Sequence, residues 1–333
     1  GHPQLVGGFG TVGPRAGNFA IQNSDLILAI GTRLDTHETG DKVATFAPKA
    51  RKIIVDVDEG ELEKYASRGM AGSLVTVECD AKYLLSELNK YVETKDCKGW
   101  LSRIQEWKKK YPISSIIDII EDSRVDPYYF MEKLSEVATE DDIVITDAGA
   151  TLCWTMQGFR VKEGQKLFSA FNHSPMGYAL PAAIGAHLAT GRRVICIIGD
   201  GGLSINIQEL SVIAKNEWPI KIFVMDNKGY GIIRQTQDTW LESRYNASSP
   251  DSGLCLPDNG AIARAYGISS WSLCSNADTK RAIVITLSKR GPTLCTVRIR
   301  TTSKIEPKLE FGLPIEDLSP RLGREELEEN MNA

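Results

Sequence analysis

The sequence predicts an α/β protein with two doubly wound parallel-sheet domains, on three observations. Short β-branched runs alternate with helix-like stretches along most of the chain. The strand candidates are unbroken apolar runs, as expected where helices cover both faces of a parallel sheet. A length of 333 residues, at roughly 150 per domain, gives about two domains. In chain order, the β-branched runs predict strands at 25–30, 52–57, 74–77, 143–146, 194–198, 220–225 and 294–299. Helix-like segments lie between them at 17–23, 81–91, 127–138, 177–188, 207–215, 260–266 and 278–289. Residues 94–126 carry no strand signal and hold a charged, helix-like stretch at 100–110. They read as a linker between a partial first domain (1–93) and a second domain (127–300). The tail, 301–333, has eight acidic against four basic residues and reads as peripheral.

Composition excludes several classes. With 42% hydrophobic and 25% charged residues, the chain is an ordinary globular one and not disordered. Its formal charge is −4, and no basic run exceeds Lys108-Lys109-Lys110, so no nucleic-acid partner is expected. The apolar runs are too short to span a bilayer, so no membrane partner is expected. The first residues do not read as a signal peptide. Seven cysteines, without CxxC or zinc-ligand spacing, suggest reduced thiols and a cytoplasmic location. Gly8-Phe9-Gly10-Thr11-Val12-Gly13 fits GxGxxG. The strand before it would be too short for a dinucleotide fingerprint, and a glycine-rich turn packed close to a helix explains it better.

The strongest signal runs from 194 to 233. A buried strand ends in Gly199-Asp200-Gly201-Gly202, a helix is expected from about Ile207, and a second buried strand ends in Asp226-Asn227-Lys228-Gly229-Tyr230-Gly231. Neighbouring parallel strands thus deliver glycines and polar groups to their carboxyl ends, where open α/β sheets bind ligands. Glycines permit close backbone approach, and amides at a helix start favour an anion. Asp200 beside a phosphate would be repulsive without a bridging divalent cation. Asp200 and Asn227 offer hard oxygen ligands suited to Mg²⁺ or Ca²⁺. Either cluster alone is an ordinary turn; their separation and strand–helix–strand setting make the pair specific.

Gly199-Asp200-Gly201, with Asn227 27 residues after the Asp, resembles the thiamine-diphosphate signature of the pyruvate decarboxylase and acetolactate synthase superfamily. Ser174-Pro175-Met176-Gly177-Tyr178-Ala179-Leu180-Pro181 is similar to the segment that wedges the bent cofactor, and Asp147-Ala148-Gly149 resembles the loop opening the pyrophosphate domain. Upstream, 10–40 and 52–58 look like the second half of the family's Rossmann-like central domain. The resemblance implies thiamine diphosphate and Mg²⁺, with Asp200, Asn227 and the Gly229 carbonyl as metal ligands. It implies that the amides of Gly201 and Gly202 hold the diphosphate, with Gly149 and Thr151 on its other side. Gly199, Tyr230 and Gly231 complete the cofactor-binding set. Met176 would be the wedge under the thiazolium. His173 either meets the substrate carboxylate, shuttles a proton, or is satisfied by a neighbouring carbonyl. His187 reads as structural, and Glu209 as ordinary helix chemistry. Some relatives hold FAD in the central domain; Gly10, Gly13, Arg33, His37 and Asp56 would then lie near it.

The implied activity is carboligation: decarboxylation of pyruvate or another 2-oxo acid and transfer of the acyl unit to a carbonyl acceptor, a second pyruvate or a keto-sugar. Ile233 stands where pyruvate decarboxylases carry a glutamate, and Thr236 where acetolactate synthases carry a tryptophan. The first disfavours simple aldehyde release; the second implies a different substrate channel. The family's activating glutamate belongs to a pyrimidine-binding domain that this sequence does not match, so that domain is expected from another chain or a missing segment. Without it, a cofactor-binding subunit inactive by itself is the alternative. A homo-oligomer is expected. Residues 235–259 read as a lid, with Trp240 and Arg244 as contacts, or as a mobile surface loop.

Overall fold

A computed structural model of the chain describes residues 2, 4–93, 96–113, 124–171 and 173–332. It resolves into two compact units. One comprises residues 2–113 and 306–332, the other the described part of Ser114–Ile305. The segment expected as a linker, 94–126, lies partly outside the described residues.

In the first unit, α1 (Arg15–Gln22) leads into β1 (Leu26–Ile30) and a helical turn, Thr36–Thr39, before β2 (Arg51–Asp56). Then come α2 (Glu59–Ser67), β3 (Leu74–Glu78), α3 (Ala81–Leu88) and α4 (Lys98–Lys110). The strands form a parallel sheet in the order β1-β2-β3, with Leu28 opposite Ile53 and Ile53 opposite Val75. Asp58 and Asp80 start α2 and α3 by accepting from the amides of Gly60 and of Lys82 and Tyr83, which satisfies donors the helix itself leaves open.

The C-terminal segment is part of this unit's core, not a peripheral tail. Leu309, Ile315 and Leu318 are buried with Ile27, Ala29, Phe46, Ile54 and Tyr65. The segment's acidic average conceals these inward apolar positions. It ends in a helix, Arg324–Met331, whose Asn330 Oδ1 accepts from Trp107 Nε1 of α4 at 2.8 Å. Trp107 in turn packs on Phe19 of α1, ring centroids 5.6 Å apart. The helix-like stretch read as linker therefore packs within this unit. Residues 4–9 form no strand ahead of the GxGxxG match. Instead Asn18 of α1 ties that turn down, accepting from Gly10 N at 2.7 Å and donating to the carbonyls of Gly10 and Ile315.

The second unit contains α5 (Pro127–Val137), β4 (Ile143–Thr146), α6 (Ala150–Gly158), β5 (Lys166–Phe168), α7 (Ala179–Thr190), β6 (Val194–Gly199), α8 (Asp200–Ile205) and α9 (Glu209–Lys215). It continues with β7 (Ile220–Asp226), α10 (Gly231–Trp240), α11 (Asn259–Ala265), β8 (Ser269–Leu273), α12 (Thr279–Ser288) and β9 (Thr293–Arg298). All six strands are parallel, in the order β5-β4-β6-β7-β9-β8. Alternate residues bury on opposite faces: Val194, Cys196, Ile222 and Val224 join Leu180, Leu210 and Ala263, while Phe223 meets Phe130 of α5 edge-on, centroids 5.3 Å apart.

Every predicted strand is present to within a residue. The two that were not predicted, β5 and β8, are the sheet's edges. Their half-solvated sequences, KLF and SSWSL, lack the apolar run that marks a strand covered on both faces. The helix expected from about Ile207 is present as α9, and a short helix not predicted, α8, precedes it from Asp200; residues 235–240 are helix, not loop. No helix among the described residues is long and apolar enough to cross a membrane, and no disulfide joins any described cysteine.

Two buried polar groups give direct tests. Asn18→Ala removes three hydrogen bonds inside the first unit and is expected to destabilise it by about 3 kcal/mol, read as a lower urea midpoint. Lys221, fully buried in β7, donates to the carbonyls of Lys289 and Gly291, yet burial brings its ammonium down to about 8. The charged form is therefore penalised in the folded state below pH 8, and the penalty disappears as pH rises towards the unfolded value near 10.5. Native stability should rise relative to Lys221→Met between pH 8 and 10.5, by no more than about 3 kcal/mol. Paired urea titrations at the two pH values would check this.

Candidate functional site

The strand order reverses between β4 and β6, because the chain runs from β4 outward to β5 and then crosses back. Such a reversal leaves a crevice at the carboxyl ends of the strands. Here the ends of β4, β6 and β7 border a cavity of 290 Å³. Gly149, Thr151, Met176, Gly199, Asp200, Gly201, Gly202, Asn227, Gly229, Tyr230 and Gly231 all line it. His173 is exposed and is not among the lining residues; Ser174 is.

Asp200, almost fully buried, begins α8. Its Oδ1 accepts from Gly201 N at 2.8 Å and its Oδ2 from Gly229 N at 3.2 Å. The Gly201 amide is thus turned to the Asp200 carboxylate. Burial, and then the neighbouring Asp226, push the Asp200 carboxyl up to about 7, against the pull of those amides. Asp226 closes β7 and is met by Arg298 and by Lys228 Nζ, the latter at 3.2 Å. Among the described residues none forms an ion pair with Asp200, although the Arg234 guanidinium feels its charge. A divalent ion would supply one, and the carboxylate of Asp200 and the side-chain amide of Asn227, both lining the cavity, offer oxygens that suit a hard ion. Among the described residues no group of three or more His, Cys, Asp or Glu is placed to hold a metal. A cation here would therefore rely on amide, carbonyl and ligand oxygens as well.

Close backbone approach shapes the rest. A Cβ on Gly202 would lie 2.1 Å from Asp147 Oδ2, so only glycine lets α8 pass the end of β4. The Asp147 carboxylate accepts from Gly177 N at 3.0 Å and Ala179 N at 3.1 Å. It thereby pins the segment that presents Met176, although burial raises its own pKa. Met176 is 40% exposed. A Cβ on Gly201 would meet the Tyr230 ring at 2.4 Å and Met176 Cε at 3.3 Å, so that bare glycine is the floor of the cavity between them. Gly229, at φ +157°, lies where a Cβ would come 2.4 Å from Ser248 O, and Tyr230 N donates to the same carbonyl at 3.1 Å.

Asp147, Asp226 and Ser248 were not among the predicted site residues. The two aspartates close buried strands, a position that marks them in the sequence. Ser248 has no local signal, since its main chain and not its side chain meets the loop. The segment beyond α10 thus braces the Asn227–Gly229 turn. Trp240 and Arg244, expected as lid contacts, line neither this cavity nor its larger neighbour described below, and Arg244 lies 3.9 Å from Glu242 at the surface. His187 Nδ1 is hydrogen-bonded to the Arg192 carbonyl at 2.8 Å, a structural role.

Comparison with known proteins gives two family matches. Residues 1–88 match the thiamine pyrophosphate enzyme central domain, and 147–297 match the thiamine pyrophosphate enzyme C-terminal TPP binding domain. The acetolactate synthase large subunit of Cyanidium caldarium is 34% identical over 316 residues, covering 93% of this chain and 52% of that protein. The Escherichia coli K12 isozyme 1 and isozyme 2 large subunits are 29% and 28% identical, covering 93% and 96% of this chain and 53% and 56% of their own lengths. The chain spans about half the length of the curated relatives it matches. Parallel strand ends, a glycine-lined cavity and matches to two domains of the same enzymes lead to one assignment: the chain belongs to the thiamine pyrophosphate enzymes, carrying their central and C-terminal cofactor-binding domains.

Proposed function

We propose that the second unit holds thiamine diphosphate through Mg²⁺, and that the whole protein is an acetolactate-synthase-like carboligase acting on pyruvate or another 2-oxo acid and a carbonyl acceptor. The observation that carries this reading is the 290 Å³ cavity at the ends of β4, β6 and β7, with buried Asp200, which no described side chain pairs as an ion, beside glycine backbone. Thiamine diphosphate, when bound, supplies the electron sink that lets a 2-oxo acid lose CO₂.

The chain's own groups have distinct tasks. Asp200, Asn227 and the Gly229 carbonyl would hold the cation, and the Asn227 turn keeps its shape through Ser248 and through Arg234, whose Nη donates to Asn227 O at 3.0 Å. Met176 offers an apolar, polarizable support over Gly201. Ile233 lines the cavity and is 46% exposed. Its side chain has no proton to give, which favours acyl transfer to a carbonyl over release of an aldehyde. Met176, Ile233 and Phe171 leave apolar area uncovered on this unit, suited to a pyrimidine-binding region from another chain or segment, as in an oligomer. The reading assigns no task to FAD.

Calorimetric titration of thiamine diphosphate with Mg²⁺ into the chain tests the cation site. Asp200→Ala, folded by circular dichroism, should lower the Mg²⁺-dependent affinity at least about a hundredfold, or about 2.7 kcal/mol; unchanged affinity would remove Asp200 from the site. Incubation with pyruvate and a supplied pyrimidine-binding chain tests the reaction. Acetolactate is the expected product with pyruvate alone, and acetaldehyde as the sole product would overturn the carboligase assignment.

A further inference from the structure

We propose that a second, larger cavity of the same unit, 830 Å³ in volume, binds the phosphate group of a phosphorylated small molecule. One wall is the face of α10 that carries Gly231, Arg234, Gln235 and Asp238; Lys304 and Ser249 also line the cavity. Arg234 is only 9% exposed. One of its Nη atoms is committed to Asn227 O, while its buried Nε has no hydrogen-bond partner. A buried donor without a partner is costly, and a guanidinium fork matches phosphate oxygens.

The surrounding charges favour the same ligand. Lys304 lines the cavity too, with Lys228, which already meets Asp226, and against the carboxylates of Asp238 and Asp251. Asp238 is already engaged, accepting from Tyr245 Oη at 2.6 Å and Ser243 Oγ at 2.9 Å. Its contact with Lys304 is a loose 3.9 Å, so that ammonium gains more from a dianion. The first residue of α10, a ten-residue helix, also borders the space, and amides at a helix start favour an anion. The volume lies in the range of sites for whole small molecules and far exceeds what a lone carboxylate fills.

Gly231 lines both this cavity and the 290 Å³ one, so a molecule anchored here by its phosphate extends to the reaction site. On the carboligase reading, on which this step alone rests, that molecule is an acceptor used besides pyruvate: a phosphorylated carbonyl compound. The phosphate site itself does not depend on that reading.

The test is calorimetry at fixed ionic strength on the full chain, with inorganic phosphate and with glucose 6-phosphate as probes. Phosphate should bind the native chain, at least tenfold more weakly to Arg234→Met and about threefold more weakly to Lys304→Met. Asp200→Ala should leave it unchanged, whereas phosphate held in the cofactor cavity would bind more tightly without that carboxylate, which separates the two sites; the thiamine reading stands or falls on the Mg²⁺-dependent titration of that variant. Tighter binding of glucose 6-phosphate identifies a phosphorylated metabolite as occupant, and equal binding identifies free phosphate. No binding beyond that of chloride, or native affinity in both cation variants, overturns the proposal. Should Arg234→Met fail to fold by circular dichroism, Lys304→Met decides alone.

Discussion

Two carboxylates at the ends of adjacent strands, Asp200 and Asp226, set the terms for the structure around them. Like charges in a buried setting repel, and burial itself penalises each ion. The protein resolves the conflict unevenly. Asp226 receives Arg298 and Lys228, whereas Asp200 receives only the amides of Gly201 and Gly229. Amides offset part of the penalty but leave the carboxyl easily protonated. On the proposed reading a site held in that condition is poised for a cation, and the fold keeps it so by anchoring the loop on either side.

Those anchors account for the glycines. The turn after β6 passes Asp147, and the turn after β7 rests on Ser248, at distances no side chain would tolerate. Asp147 links the same place to the Met176 segment through two amides. Three separate stretches of chain thus converge on one cavity because main chain packs against main chain or carboxylate, and not because side chains reach across. A thermodynamically modest set of hydrogen bonds is made position-defining by the absence of alternatives.

Much of this was legible in the sequence, for a physical reason. Strands covered on both faces leave unbroken apolar runs, so β4, β6, β7 and β9 stand out, and the polar clusters that follow them mark the cavity. Edge strands β5 and β8 face solvent along one side and carry no such run. The C-terminal segment was misjudged because its charge average hid Leu309, Ile315 and Leu318. Contacts made by main chain, such as that of Ser248 with Tyr230, leave no trace in residue type. Arg234 was missed because a single arginine on a helix acquires meaning only when its burial and its open Nε are seen.

The Ser248 peptide also joins two properties that would otherwise vary independently. Its carbonyl seats Gly229 and Tyr230 at the cofactor cavity, while the residues that follow it, Ser249 to Ser252, line the larger one. Exchanging this loop to retarget the larger cavity therefore also moves the support of the turn bearing Asn227. On the proposed assignment of the two cavities, divergence in ligand preference here is tethered to cofactor affinity, and loop grafts that keep the 248 carbonyl in place form the permitted route between specificities.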